Sequence, residues 1–193
     1  MIDALILSAG ASRRMGTPKA LCPLGDSVVI DRILSVLDEL GIRTPKVVLA
    51  KPHGDEIARW LKQSAPSVDL VWNPAPEEGM LSSISCGLRA LAPVEGVLLW
   101  PVDVPLVQTA TIKTLLAADR RRWLVPTFAD RGGHPVWLPS EQFADVLALP
   151  SSASLRALRD THPPLRVPVD DPEVLVDVDT PAALETAQSR LRR

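Results

Sequence analysis

Ala4-Leu5-Ile6-Leu7 runs directly into Ser8-Ala9-Gly10-Ala11-Ser12-Arg13-Arg14-Met15-Gly16-Thr17-Pro18-Lys19. The apolar run reads as a buried strand, and the small residues after it carry the chain through a sharp turn. Glycine and alanine leave no side-chain bulk between the backbone N–H groups and an incoming anion. A row of such groups forms a concave oxyanion cradle. Arg14 and Lys19 add positive charge that backbone dipoles alone cannot supply, and Arg13 is either a surface neighbour or a further helper. The stretch predicts a strand-to-loop site for a polyphosphate. Two familiar phosphate motifs are not spelled here. Lys19 stands between Pro18 and Ala20, which excludes G-x-x-x-x-G-K-[ST], and the spacing of Gly10 and Gly16 excludes G-x-G-x-x-G.

Beyond this loop, strands and helices alternate. Helical spacing of apolar residues runs from Ile30 to Leu40 and stops at Gly41. Residues 46–50 and 68–72 read as strands, with a helix marked by Ile57, Trp60 and Leu61 between them. After the loop 73–80 comes a helix carrying Ile84, Leu88 and Leu91, then a continuously apolar strand over 96–100, covered on both faces. A helix through Ile112, Leu115 and Leu116 leads to strands 123–127 and 135–138, separated by the turn 130–134. Helices are expected near 141–149 and 153–159, short strands at 165–167 and 174–176, and a last helix after Asp179-Thr180-Pro181. Thr180 can cap that helix and Pro181 suits its first turn.

The alternation predicts an α/β fold, a three-layer α/β/α sandwich around a mostly parallel, Rossmann-like sheet. With no internal repeat or linker, 193 residues read as a single domain over 1–193. Ligands of such sheets bind beyond the carboxyl ends of the strands. The unusual loops 8–19, 73–83, 101–107 and 130–134 each follow a strand end and are expected to converge there.

Composition narrows the function. A net charge of −2 carries no basic field for nucleic acid or a membrane surface. No apolar run has the length of a membrane span, and Asp3 inside the first strand argues against a signal peptide. Cys22 and Cys86 are far apart without a C-x-x-C, and read as reduced residues of a cytoplasmic protein. Nineteen prolines, many at strand ends, stiffen loops. The tryptophans read mostly as core or strand-end residues, and Arg120-Arg121-Arg122 as a solvated helix terminus. His53 and His162 lack clustered partners and receive no role.

The opening stretch resembles the L-A-A-G-x-S-x-R-M-G-x-x-K signature of the MobA-like nucleotidyltransferases, with Ser8 where alanine is usual. Within that superfamily the resemblance is to the branch that includes molybdenum cofactor cytidylyltransferase. Pro101-Val102-Asp103-Val104-Pro105 matches P-x-D-x-P, and Val176-Asp177-Val178-Asp179-Thr180-Pro181 resembles D-I-D-T-P. Asn73-Pro74 with Glu78-Gly79-Met80-Leu81-Ser82-Ser83-Ile84 resembles N-P…E-G-M-x-x-S-L, and Gly133-His134-Pro135 matches G-H-P. The G-P-L-A-G-type segment usual in the guanylyltransferase branch is missing at that place. So is the G-D-x-G-A-R stretch that often follows G-H-P, whose region here reads Leu149-Pro150-Ser151-Ser152-Ala153-Ser154-Leu155-Arg156. The acceptor is therefore less determined than the nucleotide chemistry.

The resemblance implies Mg²⁺ held by Asp103, with Asp179 or Asp177 reaching the same ion or its waters. A strand-end carboxylate suits that role because Mg²⁺ keeps waters and phosphates for the rest of its octahedron. A loop aspartate can also simply accept backbone N–H bonds, and Asp179 can serve a helix start. Arg14, Lys19 and Asp103 are the candidate catalytic residues. Leu7, Ser8, Ala9, Gly10, Ser12, Arg14, Met15, Gly16, Lys19, Asn73, Gly79, Ser82 and Ser83 are the candidate nucleotide contacts, although the 73–83 loop also fits a plain serine-capped helix start. His134 is the candidate acceptor contact or else a structural turn histidine. The implied partners are a nucleoside triphosphate, CTP ahead of GTP, and a molybdopterin-type cofactor, with a molybdoenzyme or its chaperone receiving the product. The rivals are a guanylyltransferase or sugar-phosphate nucleotidyltransferase on the same scaffold, and a carrier that binds nucleotide or cofactor without turnover.

Overall fold

The computed structural model describes residues 1–12 and 15–192. In chain order the strands and α-helices are β1 (Ile2–Ser8), β2 (Pro23–Leu24), β3 (Ser27–Val28), α1 (Val29–Glu39), β4 (Lys46–Leu49), α2 (Gly54–Ser64), β5 (Asp69–Trp72), α3 (Met80–Arg89), β6 (Gly96–Pro101), α4 (Thr109–Leu116), β7 (Leu124–Phe128), β8 (Arg131–Gly132), β9 (Val136–Pro139), α5 (Phe143–Ala148), β10 (Leu165–Pro168) and α6 (Pro181–Leu191).

Among the described residues one sheet runs β10-β7-β9-β6-β1-β4-β5, with β8 paired to β7. β1 is parallel to β4 and β6, β4 to β5, and β7 to β10, while β9 runs antiparallel between β6 and β7. Alternation along each central strand divides the core in two. Ile6, Val47, Leu49, Leu98 and Trp100 face a cluster built with α1, α2, α4 and α6. Leu5, Leu7, Val48, Val97 and Leu99 face the other, built with α3 and α5. These are the expected three layers, and β1, β4 and β6 are buried on both faces as their unbroken apolar runs require.

Asp3 is tolerated in β1 because the Lys46 ammonium lies 3.3 Å from its carboxylate and 3.3 Å from that of Asp69. This buried cation ties the amino-terminal ends of β1, β4 and β5 together. It leaves the carboxyl ends for other work.

Two expectations are corrected. Of the segment 174–176, read as a strand, Val174 and Leu175 belong to a 3₁₀ turn, Pro172–Leu175, and Val176 follows it. Asp171, 2% exposed, starts that turn by accepting from Glu173 N–H (3.0 Å), Gln108 N–H (3.1 Å) and the Thr111 hydroxyl (2.6 Å). These bonds hold the chain in a turn against the pull of its β-branched residues. The helix expected over 153–159 is a 3₁₀ turn, Leu155–Leu158, in keeping with the serines that favour local backbone bonds over a helix.

Candidate functional site

Four chain segments meet at the carboxyl ends of the parallel strands. After β1 the loop turns on Ser12, whose φ of 46° lies in the left-handed region and whose carbonyl accepts from Met15 N–H (3.0 Å) and Gly16 N–H (3.2 Å). Gly16 also has positive φ, 68°, where glycine costs nothing. The Ser12 hydroxyl accepts from Lys19 N–H at 3.1 Å, which fixes the start of the 3₁₀ turn Lys19–Leu21. His53, given no role by the sequence, lies with its ring Nε2 3.2 Å from the Ala11 carbonyl and so braces this loop from β4's side. Arg13 and Arg14 lie outside the described residues.

The 101–107 segment is locked in place by two bonds. Val102 N–H donates to the Leu7 carbonyl (3.2 Å), and the buried Trp100 indole donates to the Val104 carbonyl (2.8 Å). Asp103 is thereby presented beyond β6. Val178 N–H donates to the Asp103 carbonyl at 2.7 Å, which lays the 176–180 segment alongside. The Lys19 ammonium lies 3.3 Å from the Asp103 carboxylate and is also paired with Asp179. Three segments separated by 84 and 160 residues thus bring one cation and two carboxylates together. The helix-start alternative for Asp179 is taken by its neighbour: the Thr180 hydroxyl accepts from Ala183 N–H and caps α6. Desolvation, followed by the negative charges of Asp103 and Asp179, raises the Asp177 carboxyl above the usual range, with Lys19 pulling it down.

A cavity of about 260 Å³ opens on this cluster. Leu7, Ser8, Ala9, Gly10, Ser12, Lys19, Gly79, Ser83 and Asp103 line it together with Met80. Met15, Gly16, Asn73 and Ser82 do not. The Asn73 amide is buried and donates to the Ser82 (2.8 Å) and Ser83 (2.9 Å) hydroxyls, while its carbonyl accepts from Ala75 N–H (2.9 Å). Ser82 donates back toward the Ala75 and Gly79 carbonyls (3.0 and 2.8 Å). These groups brace the loop that delivers Gly79, with φ of 103°, and the amino-terminal end of α3 to the cavity.

A second cavity, of about 360 Å³, adjoins the first through Met80 and holds His134. Gly133 N–H donates to the Pro126 carbonyl (2.8 Å), and His134 N–H to that of Val174 (2.9 Å). The turn that replaced the expected strand is what seats this histidine. Burial holds the His134 imidazole below the usual histidine range; Asp103 pulls it up and Arg156 pushes it down, so the ring is neutral near pH 7. Sequence reasoning missed Trp123 and Arg156, both on the walls of this cavity. By pattern Trp123 is a core or strand-end residue, at the start of the strand 123–127. Arg156 carried the one available signal, since it ends the segment standing where G-D-x-G-A-R is usual.

Among the described residues no group of three or more His, Cys, Asp or Glu forms a metal cage. Two carboxylates beside this cavity, those of Asp103 and Asp179, still fit a Mg²⁺ ion, which takes one or two carboxylates plus substrate oxygens and water. No helix among those residues is long and apolar enough to cross a membrane.

Residues 4–167 match the model of the MobA-like NTP transferase domain. The chain is 23% identical to molybdenum cofactor cytidylyltransferase of Escherichia coli K12, over 98% of this chain and 96% of that one. Rv0371c from Mycobacterium tuberculosis H37Rv superposes with a TM-score of 0.83 at 25% identity, covering 98% of each chain. A nucleotidyl transferase from Methanothermobacter thermautotroptrophicus superposes at 0.84 with 22% identity, covering 100% of this chain and 98% of that one. With its family model matched over most of its length, the chain belongs to the MobA-like NTP transferase family.

Proposed function

We propose that the protein is a single nucleotidyltransferase domain over residues 1–193, acting in the cytoplasm, that transfers CMP from CTP to the phosphate of a molybdopterin-type cofactor and releases pyrophosphate. The observation that carries this reading is the junction of Lys19 with Asp103 and Asp179 beside the Ser8–Ser12 loop. An acceptor phosphate oxygen forms a bond to the α-phosphorus, the bond from that phosphorus to the β-phosphate oxygen breaks, and pyrophosphate leaves with the electron pair. The acceptor phosphate is already ionised near neutral pH, so no general base is required. What the protein supplies is position and preorganised charge.

Backbone N–H groups of the Ser8–Ser12 loop cradle the triphosphate, and Lys19 turns from the carboxylates to the phosphates as charge builds on the leaving group. Arg14, in the same loop by sequence, adds to that charge. Asp103, with help from Asp179 or Asp177, would hold Mg²⁺, which would neutralise charge on the phosphate oxygens when bound. Gly79 and Ser83 meet the nucleoside, while Asn73 and Ser82 keep that loop in shape. His134 faces the acceptor. The product passes to a molybdoenzyme or its chaperone.

Incubation with Mg²⁺, molybdopterin and either CTP or GTP tests the reading through pyrophosphate release. Release with CTP supports it. Release with GTP alone makes the enzyme a guanylyltransferase, and tight binding of both substrates without release makes it a carrier.

A further inference from the structure

The sheet ends in two different edges. Among the described residues β5 pairs only with β4, and β10 only with β7. Asp69 N–H donates to the Pro45 carbonyl (3.1 Å) and Asn73 N–H to that of Leu49 (2.8 Å). In a parallel ladder alternate residues bond to the same neighbour, so Val71 also turns inward. Leu70 and Trp72 direct their N–H and C=O groups out of the sheet. At β10 the inward residues include Leu165 and Val169 follows in step, donating to the Trp123 and Thr127 carbonyls (2.7 and 2.9 Å). The outward residues there are Arg166 and Pro168, and Pro168 has no N–H to offer. Proline and charge close an edge against pairing. β5 has neither at its outward positions, Leu70 and Trp72.

The side chains at the β5 edge are apolar and partly open. Trp72 is 43% exposed. Its ring lies against Gly54 at the start of α2, with the Lys51 ammonium 5.9 Å from the ring centre. Half-buried Leu70, on the same face, lines a shallow groove of about 80 Å³ with Leu61, Lys62, Ala65, Pro66 and Val68 at the other end of α2. The helix is polarised, with Asp55 and Glu56 in its first turn and Lys62 in its last. Asp55 is paired with Lys51 and Lys62 stands beside Leu70, so both charges lie on the β5 side of the helix.

We propose that this edge joins a second copy of the chain, β5 antiparallel to β5, about a two-fold axis at Val71. Only outward residues can exchange backbone bonds. Leu70 opposite the second copy's Trp72, and Trp72 opposite its Leu70, make four such bonds, whereas Leu70 opposite Leu70 makes two. In the four-bond register each indole lies beside the other copy's Leu70, over the groove at the end of α2. The same axis sets α2 against α2 with ends reversed, so Asp55 of each copy meets Lys62 of the other. One operation thus matches backbone, apolar and charged groups together, as an isologous contact requires. The proposal goes beyond the nucleotidyl-transfer reading and does not depend on it.

Sedimentation velocity of the full-length protein across the micromolar range, without nucleotide, is the test. The wild type is expected to run as a dimer in exchange with monomer. Trp72→Ala is expected to raise the dimer Kd about thirtyfold. Asp55→Lys and Lys62→Glu change exposed positions and leave the core untouched. Each alone sets like charges against each other twice across the axis and is expected to raise Kd about tenfold. Mixed in equal amounts, these two variants restore opposite charges at both contacts and are expected to recover the wild-type Kd as a heterodimer. Recovery on mixing separates a broken contact from a broken fold, because misfolded chains would not recover. A wild type that stays monomeric overturns the proposal. So does a dimer that survives all three substitutions, or one that the mixture fails to restore. Pyrophosphate release by the wild type reports separately on nucleotidyl transfer.

Discussion

Gly10 and Gly133 each sit in a loop at the carboxyl edge of the sheet, one beside each cavity, and they are there for opposite reasons. A Cβ built on Gly10 meets nothing within 4 Å, because that backbone borders the open space of the first cavity. A Cβ on Gly133 falls 2.2 Å from the Val174 carbonyl oxygen and 2.7 Å from its carbon. That backbone is pressed against another segment. On the proposed reading the first loop is small for what it binds; the second is small for what it packs against. The same residue type therefore borders open space in one case and tight packing in the other.

The largest effect expected on the first cavity is from Asp103→Asn, which keeps the shape of the side chain and removes its charge beside Lys19. Turnover measured by pyrophosphate release is expected to fall about 10²–10³-fold, with the melting temperature nearly unchanged. Turnover within threefold of wild type at ordinary Mg²⁺ removes Asp103 from the metal site.

The two glycines come next and break the comparison if they behave alike. Gly133→Ala puts a methyl group into backbone atoms that cannot rotate away, so a loss of about 1–3 kcal/mol is expected, read as a lower denaturant midpoint. Gly10→Ala is expected to leave that midpoint within about 0.5 kcal/mol of wild type and to weaken CTP binding about tenfold. A stable Gly133→Ala, or a Gly10→Ala that binds CTP normally, contradicts the assignment of that loop.

What could be read from the sequence follows the same division. The first cavity is made of short-range features: an apolar strand, small residues, and a lysine within one turn of them. Even Asp103, 84 residues away, announces itself by lying between prolines at the end of an apolar strand, and alternation of strand and helix sends it to the same edge. The second cavity is made of long-range burial. Trp123 has the composition of a core residue, and only the packing reveals that its N–H finds no partner among the described residues. Val174 reads as a strand residue among Val174-Leu175-Val176, yet Asp171, bonded to Gln108 and Thr111, takes the chain into a turn. The braces were hidden too. Asn73 and Ser82 have the chemistry of nucleotide contacts, and their hydrogen bonds are spent on each other and on the loop.

The smallest expected effect sharpens the view of how deeply the second cavity buries its histidine. His134 is held below the usual histidine range by burial, with Arg156 reinforcing and Asp103 opposing. In the unfolded chain the imidazole titrates near 6.5, so below that pH the unfolded state takes up a proton that the folded state refuses. Stability contributed by the neutral ring is then lost as pH falls through the unfolded value, and the loss stops growing once the folded ring is protonated as well. His134→Gln cannot titrate. The difference in melting temperature between wild type and this variant is expected to shift against wild type on going from pH 7.5 to 5.5. Arg156→Gln removes the reinforcing charge and is expected to shrink that shift. An unchanged difference across this range means that the ring is already open to water, and the cavity is then wetter than its lining implies.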